Sequence, residues 1–586
     1  MITPIRCFAL CLFSLLTAPI SGATPPNVIV IMTDDQGWGD LSINGNTNLA
    51  TPNIDSLARD GAMFDNFYVC QVCAPTRAEF LTGRYYPRTG VSGVTRGEGR
   101  INPDETTIAD VFKSAGYATG AFGKWHNGTQ APYHPNDRGF DEFYGFTSGH
   151  WGHYFSPPLD HNRRKIRGTG YVIDDFTERA MQFISENRDN PFFCYLPYNT
   201  PHSPMMVSDE FYDKFRDLEP AMRNRTPQKE DVMMTRAALA MCENIDWNVG
   251  RLLQHLESLN LADDTIVIYF SDNGPNSLRW NGDMKGRKGA IDEGGLRSPF
   301  LIRWPTGIEA GLRVPQVTAA IDLLPTLTEI AGAKLPTEKP LDGRSFRGLL
   351  SGNDLEWQPR DLLSIKNQQV SVRTDRFRFD QAGQLFDIVT DRGQHNDVAE
   401  EHPQLVKHLR KVAREHRDVM QREFERNRER PFTVGYAPLT TLPARDGIPH
   451  GDIERSSKAP NNSFFKNWTS EEAAITWTVE VGETADYVAT VYYTCAASDV
   501  GAIIRLSDDS GTSAEASVTR AFDPPLYDKS MERMEKSHYF VKDFTPLELG
   551  TVSLKAGLNT LRLSAPKIVG ERAIDVHSIE LRKTSS

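Results

Sequence analysis

Short runs of apolar, β-branched residues alternate along the first half of the chain with longer segments in which apolar residues recur at helical spacing. Three of the short runs, at 27–32, 191–196 and 265–270, are apolar almost throughout, which predicts strands buried on both faces of a sheet. Helical periodicity occupies three of the longer segments, at 107–115, 171–187 and 237–260. Strands that alternate with helices predict an α/β layer fold.

The pattern changes in the segment 356–430. Short alternating stretches at 369–374 and 384–388 predict strands, and a charged amphipathic helix follows over 403–430. Its many Arg and Lys residues could bind an anion, but a solvated face with ion pairs four residues apart is the simpler explanation. We therefore expect a smaller α+β subdomain over 356–430, after a larger α/β domain over 24–355.

The last part of the chain has a third pattern. Residues 431–455 are rich in Pro, Gly and Thr, which is typical of a linker. Beyond them, alternating or β-rich segments separated by turn residues lie at 474–480, 485–493, 502–506, 551–554 and 560–563. This spacing predicts an all-β sandwich over 456–586.

The overall composition excludes some classes of protein. With 39% hydrophobic and 24% charged residues, the chain has the composition of a globular protein with a sizeable core. The net charge of −12 provides no global positive field, so we expect no nucleic-acid partner. An anionic substrate would have to be bound by a local cluster of cations.

The N-terminal segment 1–23 has the features of a secretory signal peptide. One Arg precedes a short apolar run over 7–18, and Ser21-Gly22-Ala23 fits a cleavage site of small residues. The alternative, a membrane anchor, is weaker because the run is shorter than the roughly 20 apolar residues that a span needs. We therefore expect a secreted or periplasmic protein without a membrane span.

The number of cysteines indicates a thiol with a special role. Two of the seven cysteines lie in the predicted signal peptide, which leaves Cys70, Cys73, Cys194, Cys242 and Cys495. An odd number in an oxidising compartment leaves at least one cysteine outside any disulfide within the chain. The sequence does not define which of the others, if any, are paired.

Acidic and amide side chains follow two of the predicted buried strands. The first strand is followed by Asp34 and Asp35, and the strand over 265–270 is followed by Asp272 and Asn273. Ligands bind outside the carboxyl ends of strands in open α/β sheets, so these side chains could converge. Three carboxylates and an amide oxygen favour Ca²⁺ or Mg²⁺ over zinc. Taken singly, either pair is equally well explained by helix caps or turns.

Cys73 begins the segment Cys73-Ala74-Pro75-Thr76-Arg77, which is followed by Leu81-Thr82-Gly83. Proline in the first turn predicts that Cys73 lies at a helix N-terminus, where an anion is favoured. At every fixed position the segment is similar to the signature of the type I, formylglycine-dependent sulfatases, an arylsulfatase-like family. The resemblance implies that a maturation enzyme oxidises Cys73 to formylglycine, an aldehyde.

Further motifs of the same family occur between residues 27 and 398. They resemble the Gly-Lys-Trp-His motif, the second His motif, the Lys-Gly…Glu-Gly-Gly-x-Arg segment and the closing Leu-Phe-Asp segment, at 123–126, 200–204, 288–297 and 385–397 respectively. The resemblance implies an alkaline-phosphatase-like mixed sheet flanked by helices. It also implies one Ca²⁺ per chain, bound by Asp34, Asp35, residue 73, Asp272 and Asn273.

The resemblance assigns the remaining site residues as well. Arg77 and His126 are expected to orient the aldehyde hydrate, whereas Lys124, His202 and Lys288 contact the sulfate. A hydrate has two hydroxyl groups on one carbon, so one can attack sulfur and the other can then expel sulfate as the aldehyde re-forms. His126 is the candidate base for that second step, and His202 the candidate acid for the leaving oxygen.

The expected substrate is a sulfated carbohydrate or an aryl sulfate. The sandwich resembles carbohydrate-binding modules, with Trp477, Tyr487 and Tyr492 as candidate stacking residues, although alternating core residues are the simpler explanation. The loop 149–154 could line a sugar pocket or pack internally. Two other functions remain open: a phosphodiester or phosphonate monoester hydrolase of the same fold, and an inactive glycan-binding homologue, against which the complete set of site residues argues.

Overall fold

A computed structural model describes residues 25–335, 339–352, 357–535 and 538–584. The predicted signal peptide, 1–23, lies outside the described residues. Within the described ranges, every helix is too short or too polar to cross a membrane.

An 11-stranded mixed sheet forms the centre of the molecule. Its strands are β1 (Asn27–Thr33), β2 (Ala62–Tyr68), β3 (Ala118–Lys124), β4 (Glu142–Phe146), β5 (Pro158–His161), β6 (Arg164–Arg167), β7 (Phe192–Pro197), β8 (Thr265–Ser271), β9 (Arg297–Ser298), β10 (Phe300–Arg303) and β11 (Leu312–Ala319). They are ordered β11-β2-β10-β8-β1-β7-β3-β4-β5-β6, and β9 pairs with β2. The parallel strands β8, β1 and β7 lie in the middle, as expected for runs apolar on both faces.

Helices cover both faces of this sheet. They are α1 (Pro52–Arg59), α2 (Cys73–Thr82), α3 (Ile108–Ser114), α4 (Val172–Glu186), α5 (Asp209–Tyr212), α6 (Val232–Ser258), α7 (Glu293–Leu296), α8 (Leu323–Ile330) and α9 (Arg347–Leu350). Alternate residues of β1 belong to different cores: Val28 and Val30 face one, and Ile29 and Ile31 face the other. The predicted α/β fold is therefore confirmed, including the three predicted helices.

A smaller antiparallel sheet follows in the chain. Its strands are β12 (Leu362–Lys366), β13 (Gln369–Arg373), β14 (Phe377–Phe379) and β15 (Leu385–Asp387), and α10 (Pro403–Arg426) packs on it. Leu409 and Ala413 of α10 belong to the core on one side of the large sheet. The subdomain is thus an extension of the α/β core.

The C-terminal part is a sandwich of two six-stranded sheets. Its strands are β16 (Phe432–Val434), β17 (Leu439–Pro443), β18 (Ile448–His450), β19 (Glu454–Arg455), β20 (Phe465–Lys466), β21 (Ala474–Val481), β22 (Ala485–Thr494), β23 (Ile503–Ser507), β24 (Ser513–Ser517), β25 (Thr545–Leu554), β26 (Gly557–Lys567) and β27 (Asp575–Lys583). One sheet has the order β16-β21-β26-β23-β24 with β18 on β21, and the other has the order β19-β20-β27-β22-β25 with β17 on β27. The sandwich has its own core.

The predicted linker over 431–455 is wrong. This segment forms β16, which pairs in parallel with β21, and β17, which pairs with β27, followed by β18 and β19. Its Pro, Gly and Thr content obscured a sparse apolar pattern, because Phe432, Val434 and Leu442 are buried in the sandwich core. The sandwich therefore begins about where α10 ends, without a flexible spacer.

Candidate active site

Two neighbouring strand ends bring together the acidic residues that the sequence singled out. β1 and β8 are parallel and in register, with Thr33 opposite Ser271, so the residues that follow them meet at one edge of the sheet. The backbone N–H of Asp35 donates to Asp272 Oδ1 at 3.2 Å, and Asn273 Nδ2 donates to Asp35 Oδ1 at 2.8 Å. All of these side chains are buried.

Cys73 is the first residue of α2 and lies against this cluster. Ligand atoms of Asp34, Cys73 and Asp272 all fall within 4.8 Å of one another. Thr76 holds the helix in place, because its hydroxyl donates to the carbonyl oxygen of Asp272 at 2.6 Å and accepts from the N–H of Cys70 at 2.8 Å. The helix N-terminus, which favours negative charge, thus faces the strand ends.

Three cations neutralise the carboxylates. Lys124 Nζ, at the end of β3, lies 2.5 Å from Asp34 Oδ2, and Lys288 Nζ lies 2.6 Å from Asp35 Oδ1. Arg77 Nη2 donates to Asp272 Oδ2 at 2.8 Å, and its Nη1 donates to the carbonyl oxygen of Lys124 at 2.8 Å. The result is a buried cluster of alternating charge next to Cys73.

Burial and charge shift the pKa values of the cluster in opposite directions. Burial alone would raise the pKa of Asp34, but the charges of Lys124 and its neighbours lower it. Asp272 behaves differently: burial, reinforced by the charge of Asp34, raises its pKa to about 7 against the opposing effect of Arg77. Burial also raises the pKa of the Cys73 thiol, so the unmodified thiol is poorly prepared to ionise.

The residues fit a hard divalent cation. Asp34 Oδ1, Asp35 Oδ2 and Asn273 Oδ1 are buried and have no hydrogen-bond partner among the described residues. Unpaired buried oxygen atoms are costly, and a shared cation would satisfy all three. Oxygen donors of this kind are the ligands that Ca²⁺ and Mg²⁺ prefer.

Two histidines flank the cluster with defined hydrogen bonds. His126 Nε2 lies 3.0 Å from the carbonyl oxygen of Val94, so that nitrogen carries the hydrogen and Nδ1, buried without a partner among the described residues, bears the lone pair. His202 Nδ1 lies 2.6 Å from the carbonyl oxygen of Ser203, and its Nε2 lies 3.6 Å from Asp35 Oδ2. Burial lowers the pKa of both imidazoles.

Two of the site residues have unusual backbone conformations. Asp35 and His126 adopt left-handed conformations, with φ of 68° and 63°. Such conformations cost non-glycine residues about 1–3 kcal/mol, and they persist where the surroundings impose them. At these positions they place the two side chains at the cluster, which is consistent with a functional role.

The structure brings two further aromatic side chains to the site. His150, in the loop 149–154, stacks on His202 with ring centroids 5.8 Å apart and an interplanar angle of 14°. Tyr539, from the sandwich, meets the His150 ring edge-on at 5.0 Å. His150 lay in a polar-aromatic loop that was a recognisable candidate, whereas nothing in the local sequence linked Tyr539 to the site.

The candidate sugar-stacking residues of the sandwich have other roles. Trp477 and Tyr487 are buried in its core, as the simpler explanation had it. The ring of Tyr492 is covered by Lys165, whose Nζ lies 3.3 Å from the ring centroid and 2.7 Å from Glu580. Two of the three rings are therefore core residues, and the third is paired with a lysine of the α/β domain.

The five described cysteines are all buried and free, so no disulfide links them. Cys70 lies near Cys73, but burial raises its pKa well above the ordinary value. Cys73 is thus set apart by its neighbours, because it contacts the charged cluster.

The sulfatase family profile matches residues 26–333, and the chain belongs to the sulfatase family. A second profile, for the C-terminal region of N-sulphoglucosamine sulphohydrolase, matches residues 287–412. Together the two matches cover the α/β domain and most of the small subdomain, and both end before the sandwich begins.

Individual relatives agree with this assignment. The chain is 32% identical to N-acetylgalactosamine-6-sulfatase of Mus musculus over 357 residues, which cover 54% of this chain and 65% of that protein. It thus spans slightly less than two thirds of that relative. It is 29% identical to steryl-sulfatase of Homo sapiens over 471 residues, covering 61% of this chain and 78% of the relative.

The fold has a solved counterpart. A crystal structure of Ps i-CgsB in complex with k-i-k-neocarrahexaose is 31% identical and superposes with a TM-score of 0.61, covering 67% of this chain and 93% of the other. The prediction of an alkaline-phosphatase-like fold is confirmed by such neighbours.

Proposed function

We propose that this protein is a secreted or periplasmic enzyme that hydrolyses sulfate esters of a carbohydrate, with Cys73 matured to formylglycine and one Ca²⁺ bound beside it. One observation carries the proposal: Asp34, Asp35 and Asn273, which follow two neighbouring strand ends beside Cys73, each hold a buried oxygen atom without a partner among the described residues, and two lysines pair with the carboxylates. Buried acceptors without partners need an explanation, and a shared divalent cation would provide one for all three.

The positive charges of the site complement the negative charge of a sulfate ester. When bound, Ca²⁺ acts as a Lewis acid toward the sulfate and the nucleophile. When formed, formylglycine supplies a hydrated aldehyde at position 73. Lys124 and Lys288 are placed to stabilise negative charge that spreads onto the sulfate oxygens, in a buried site where such charges act strongly.

The two histidines are suited to opposite proton transfers. His126 keeps a free lone pair on Nδ1 because its Nε2 hydrogen is held by Val94, so it can accept a proton from a hydroxyl on residue 73. His202 is the candidate donor to the leaving oxygen. Burial and the charge of Lys288 lower the pKa of His202, whereas Asp35 favours its protonated form, and a bound sulfate would add negative charge beside it.

The relatives support the substrate class. Among them, one is named for the 6-sulfate of N-acetylgalactosamine, and one structure holds a carrageenan-type oligosaccharide. We infer a sulfated carbohydrate for this chain as well, and a formylglycine-generating enzyme as the partner that matures it.

The test is a parallel assay of the full-length protein, produced with a formylglycine-generating enzyme. We expect turnover of 4-nitrophenyl sulfate and of sulfated saccharides, little turnover of an aryl phosphodiester, and none in Cys73→Ala. A mass spectrum of the peptide containing residue 73 should show a species lighter than the cysteine form. Faster phosphodiester hydrolysis, or full sulfatase activity in Cys73→Ala, would contradict the proposal.

A further inference from the structure

The sandwich extends a long connection onto the α/β domain. This connection, here called the strap (residues 523–535 and 538–544), lies between β24 and β25. It pairs with the segment just after His202: the N–H of Arg533 donates to the carbonyl oxygen of Met205 at 2.9 Å, and the N–H of Val207 donates to that of Met531 at 3.2 Å. The strap therefore holds the segment that carries His202.

Arg533 strengthens this attachment. Its Nη2 donates to the carbonyl oxygen of Val207 at 2.7 Å and to Asp209 Oδ1 at 2.8 Å, and its side chain is almost completely buried. Several hydrogen bonds from one buried guanidinium group hold the strap in a defined position.

A second part of the sandwich lies behind His126. Asn461 Nδ2 donates to the carbonyl oxygen of Val94 at 2.8 Å, the same oxygen that accepts from His126. The hydroxyl of Ser148 donates to the carbonyl oxygen of Asn461 at 2.5 Å. A Cβ on Gly149 would lie 2.3 Å from Asn461 Nδ2 and 2.4 Å from His126 Nε2, so a larger residue there would displace the side chains that connect the two parts of the molecule.

Tyr539 connects the sandwich to His202 through His150. Its ring meets His150 edge-on, and His150 stacks in parallel on His202, an arrangement of rings that is favourable in proteins. The charges of Lys288, Asp35 and Asp34 all act on the pKa of the Tyr539 phenol, which burial raises. Through these ring contacts Tyr539 is connected to His202 although it belongs to the sandwich.

His150 provides an independent sign of a ligand. It is 7% exposed, and its Nε2 has no hydrogen-bond partner among the described residues. A buried imidazole nitrogen without a partner is costly unless a bound molecule satisfies it. Such a molecule would meet Nε2 in the plane of the ring, next to the stacked His202.

We propose that the sandwich is part of the catalytic unit, and that its Tyr539 holds His150 as the wall of a subsite for the sugar that carries the sulfate. His150 is the binding residue, and Tyr539 is a positioning residue that acts through it. The inference rests on the proposed function, in which His202 faces the leaving oxygen. In that function Lys124 and Lys288 contact the sulfate, and His202 contacts the oxygen that leaves with the alcohol. A ring stacked on His202 therefore lies next to the alcohol part of the ester, which is the sugar.

The chemistry of the wall fits a sugar hydroxyl. His150 Nε2 can exchange a hydrogen bond with a hydroxyl group, and the aromatic edges beside it can contact the apolar face of a pyranose. A small aryl sulfate would fill the sulfate site without needing this hydrogen bond. The wall should therefore affect saccharide substrates more than aryl sulfates.

The test compares the ratio of kcat/KM for a saccharide sulfate to kcat/KM for 4-nitrophenyl sulfate in the full-length, matured protein. N-acetylgalactosamine 6-sulfate and a sulfated carrageenan oligosaccharide serve as saccharides, and the one that the wild type hydrolyses faster is used. In Tyr539→Ala and His150→Ala we expect the ratio to fall about tenfold or more, mainly through a higher KM, as is typical when one pocket contact is lost.

Tyr527→Ala is the matched control. Tyr527 is another tyrosine of the strap, and its ring contacts His153, 5.2 Å away, rather than a site residue. We expect its ratio to equal that of the wild type. Thermal melting and calcium content establish that all variants are folded and loaded.

The outcomes separate the inference from the proposed function. A wild type without sulfatase activity on any probe contradicts the function itself. An active wild type overturns the inference if it hydrolyses the aryl sulfate and neither saccharide, if Tyr539→Ala leaves the ratio unchanged, or if Tyr527→Ala lowers it equally.

Discussion

At the scale of single residues, Glu79 shows how the helix of Cys73 is stabilised internally. Glu79 is buried on α2, and its Oε1 accepts from the N–H of Tyr86 at 3.2 Å. No lysine or arginine pairs with it among the described residues. Burial raises its pKa to about 8, and hydrogen bonds from Cys70 and Tyr86 oppose this only in part. The carboxyl group is therefore protonated in the folded protein at neutral pH.

We predict that Glu79→Gln changes how stability depends on pH. The folded pKa of Glu79 is raised above its ordinary value of 4.5, so its contribution is fully present below pH 4.5 and is lost as pH rises toward about 8. The loss is about 1.4 kcal/mol per pH unit in that window. Urea unfolding at several pH values should show that the free energy of unfolding of the variant increases relative to that of the wild type as pH rises.

Glu425→Gln, on the exposed face of α10, controls for the removal of one acidic side chain. A stability difference between Glu79→Gln and the wild type that stays constant from pH 5 to pH 8, within about 0.5 kcal/mol, would contradict the protonated state of Glu79.

The metal ligands make a second prediction at this scale. Because Asp34, Asp35 and Asn273 each hold a buried oxygen atom without a partner among the described residues, a bound cation should stabilise the fold, by about 2.7 kcal/mol at a free concentration one hundred times Kd. We expect a chelator to lower Tm and Ca²⁺ to restore it. Asn273→Ala should reduce this calcium-dependent shift, and an equal Tm with and without chelator in the wild type would count against the metal site.

At the scale of elements, a buried ion cluster joins the large sheet to the small one. Glu293, at the start of α7, accepts from Arg378 of β14 at 2.8 Å and from the hydroxyl of Tyr68 of β2 at 2.9 Å. Arg373 of β13 lies 3.5 Å away. Burial alone would raise the pKa of Glu293, but the arginines lower it to about 2. The cluster fixes the small subdomain close to the Lys288 loop.

We predict that Glu293→Gln destabilises the protein by about 3–5 kcal/mol, because it leaves buried arginines without their counter-charge. The folded pKa of Glu293 is lowered, so its contribution is present above about pH 4.5 and is lost as pH falls toward 2. Denaturant unfolding at pH 7 measures the loss. Asp387→Asn, which breaks a partly exposed pair with Arg376, should cost less than about 1 kcal/mol, and similar losses in the two variants would disprove the buried role.

The elements differ in how far the sequence could predict them. β1, β7 and β8 were predictable because strands buried on both faces are apolar throughout. The acidic site was predictable because the ends of parallel strands converge, which brings Asp34 and Asp35 to Asp272 and Asn273. β16 to β19 were missed because each is short and only β16 is buried throughout, so local composition imitated a linker. Tyr539 was not predictable, since only tertiary packing brings it to His150.

At the scale of the whole molecule, the strap and Asn461 connect the sandwich to the α/β domain. The first strand of the sandwich, β16, also follows α10 closely in the chain. Arg100 adds to this junction by donating to the carbonyl oxygens of Arg430 and Pro431, both at 2.6 Å. Contacts that are buried, polar and directional resist sliding of one body on the other, in contrast to the loose interfaces of tethered modules. The two parts should therefore open together.

The final prediction tests this coupling through calcium. The proposed metal ligands all lie in the α/β domain, so removing Ca²⁺ would leave a tethered sandwich unaffected. If the parts unfold as one unit, a chelator should accelerate hydrogen exchange in β21 and β22 as well as in β1, because their opening shares one free energy. Arg533→Ala, which removes the buried side-chain contacts of the strap to Val207 and Asp209, should weaken the response in the sandwich while β1 keeps it. If the exchange rates of β21 and β22 in the wild type do not depend on calcium, the sandwich unfolds independently of the α/β domain. The fixed position of Tyr539 at the active site would then lack its physical basis.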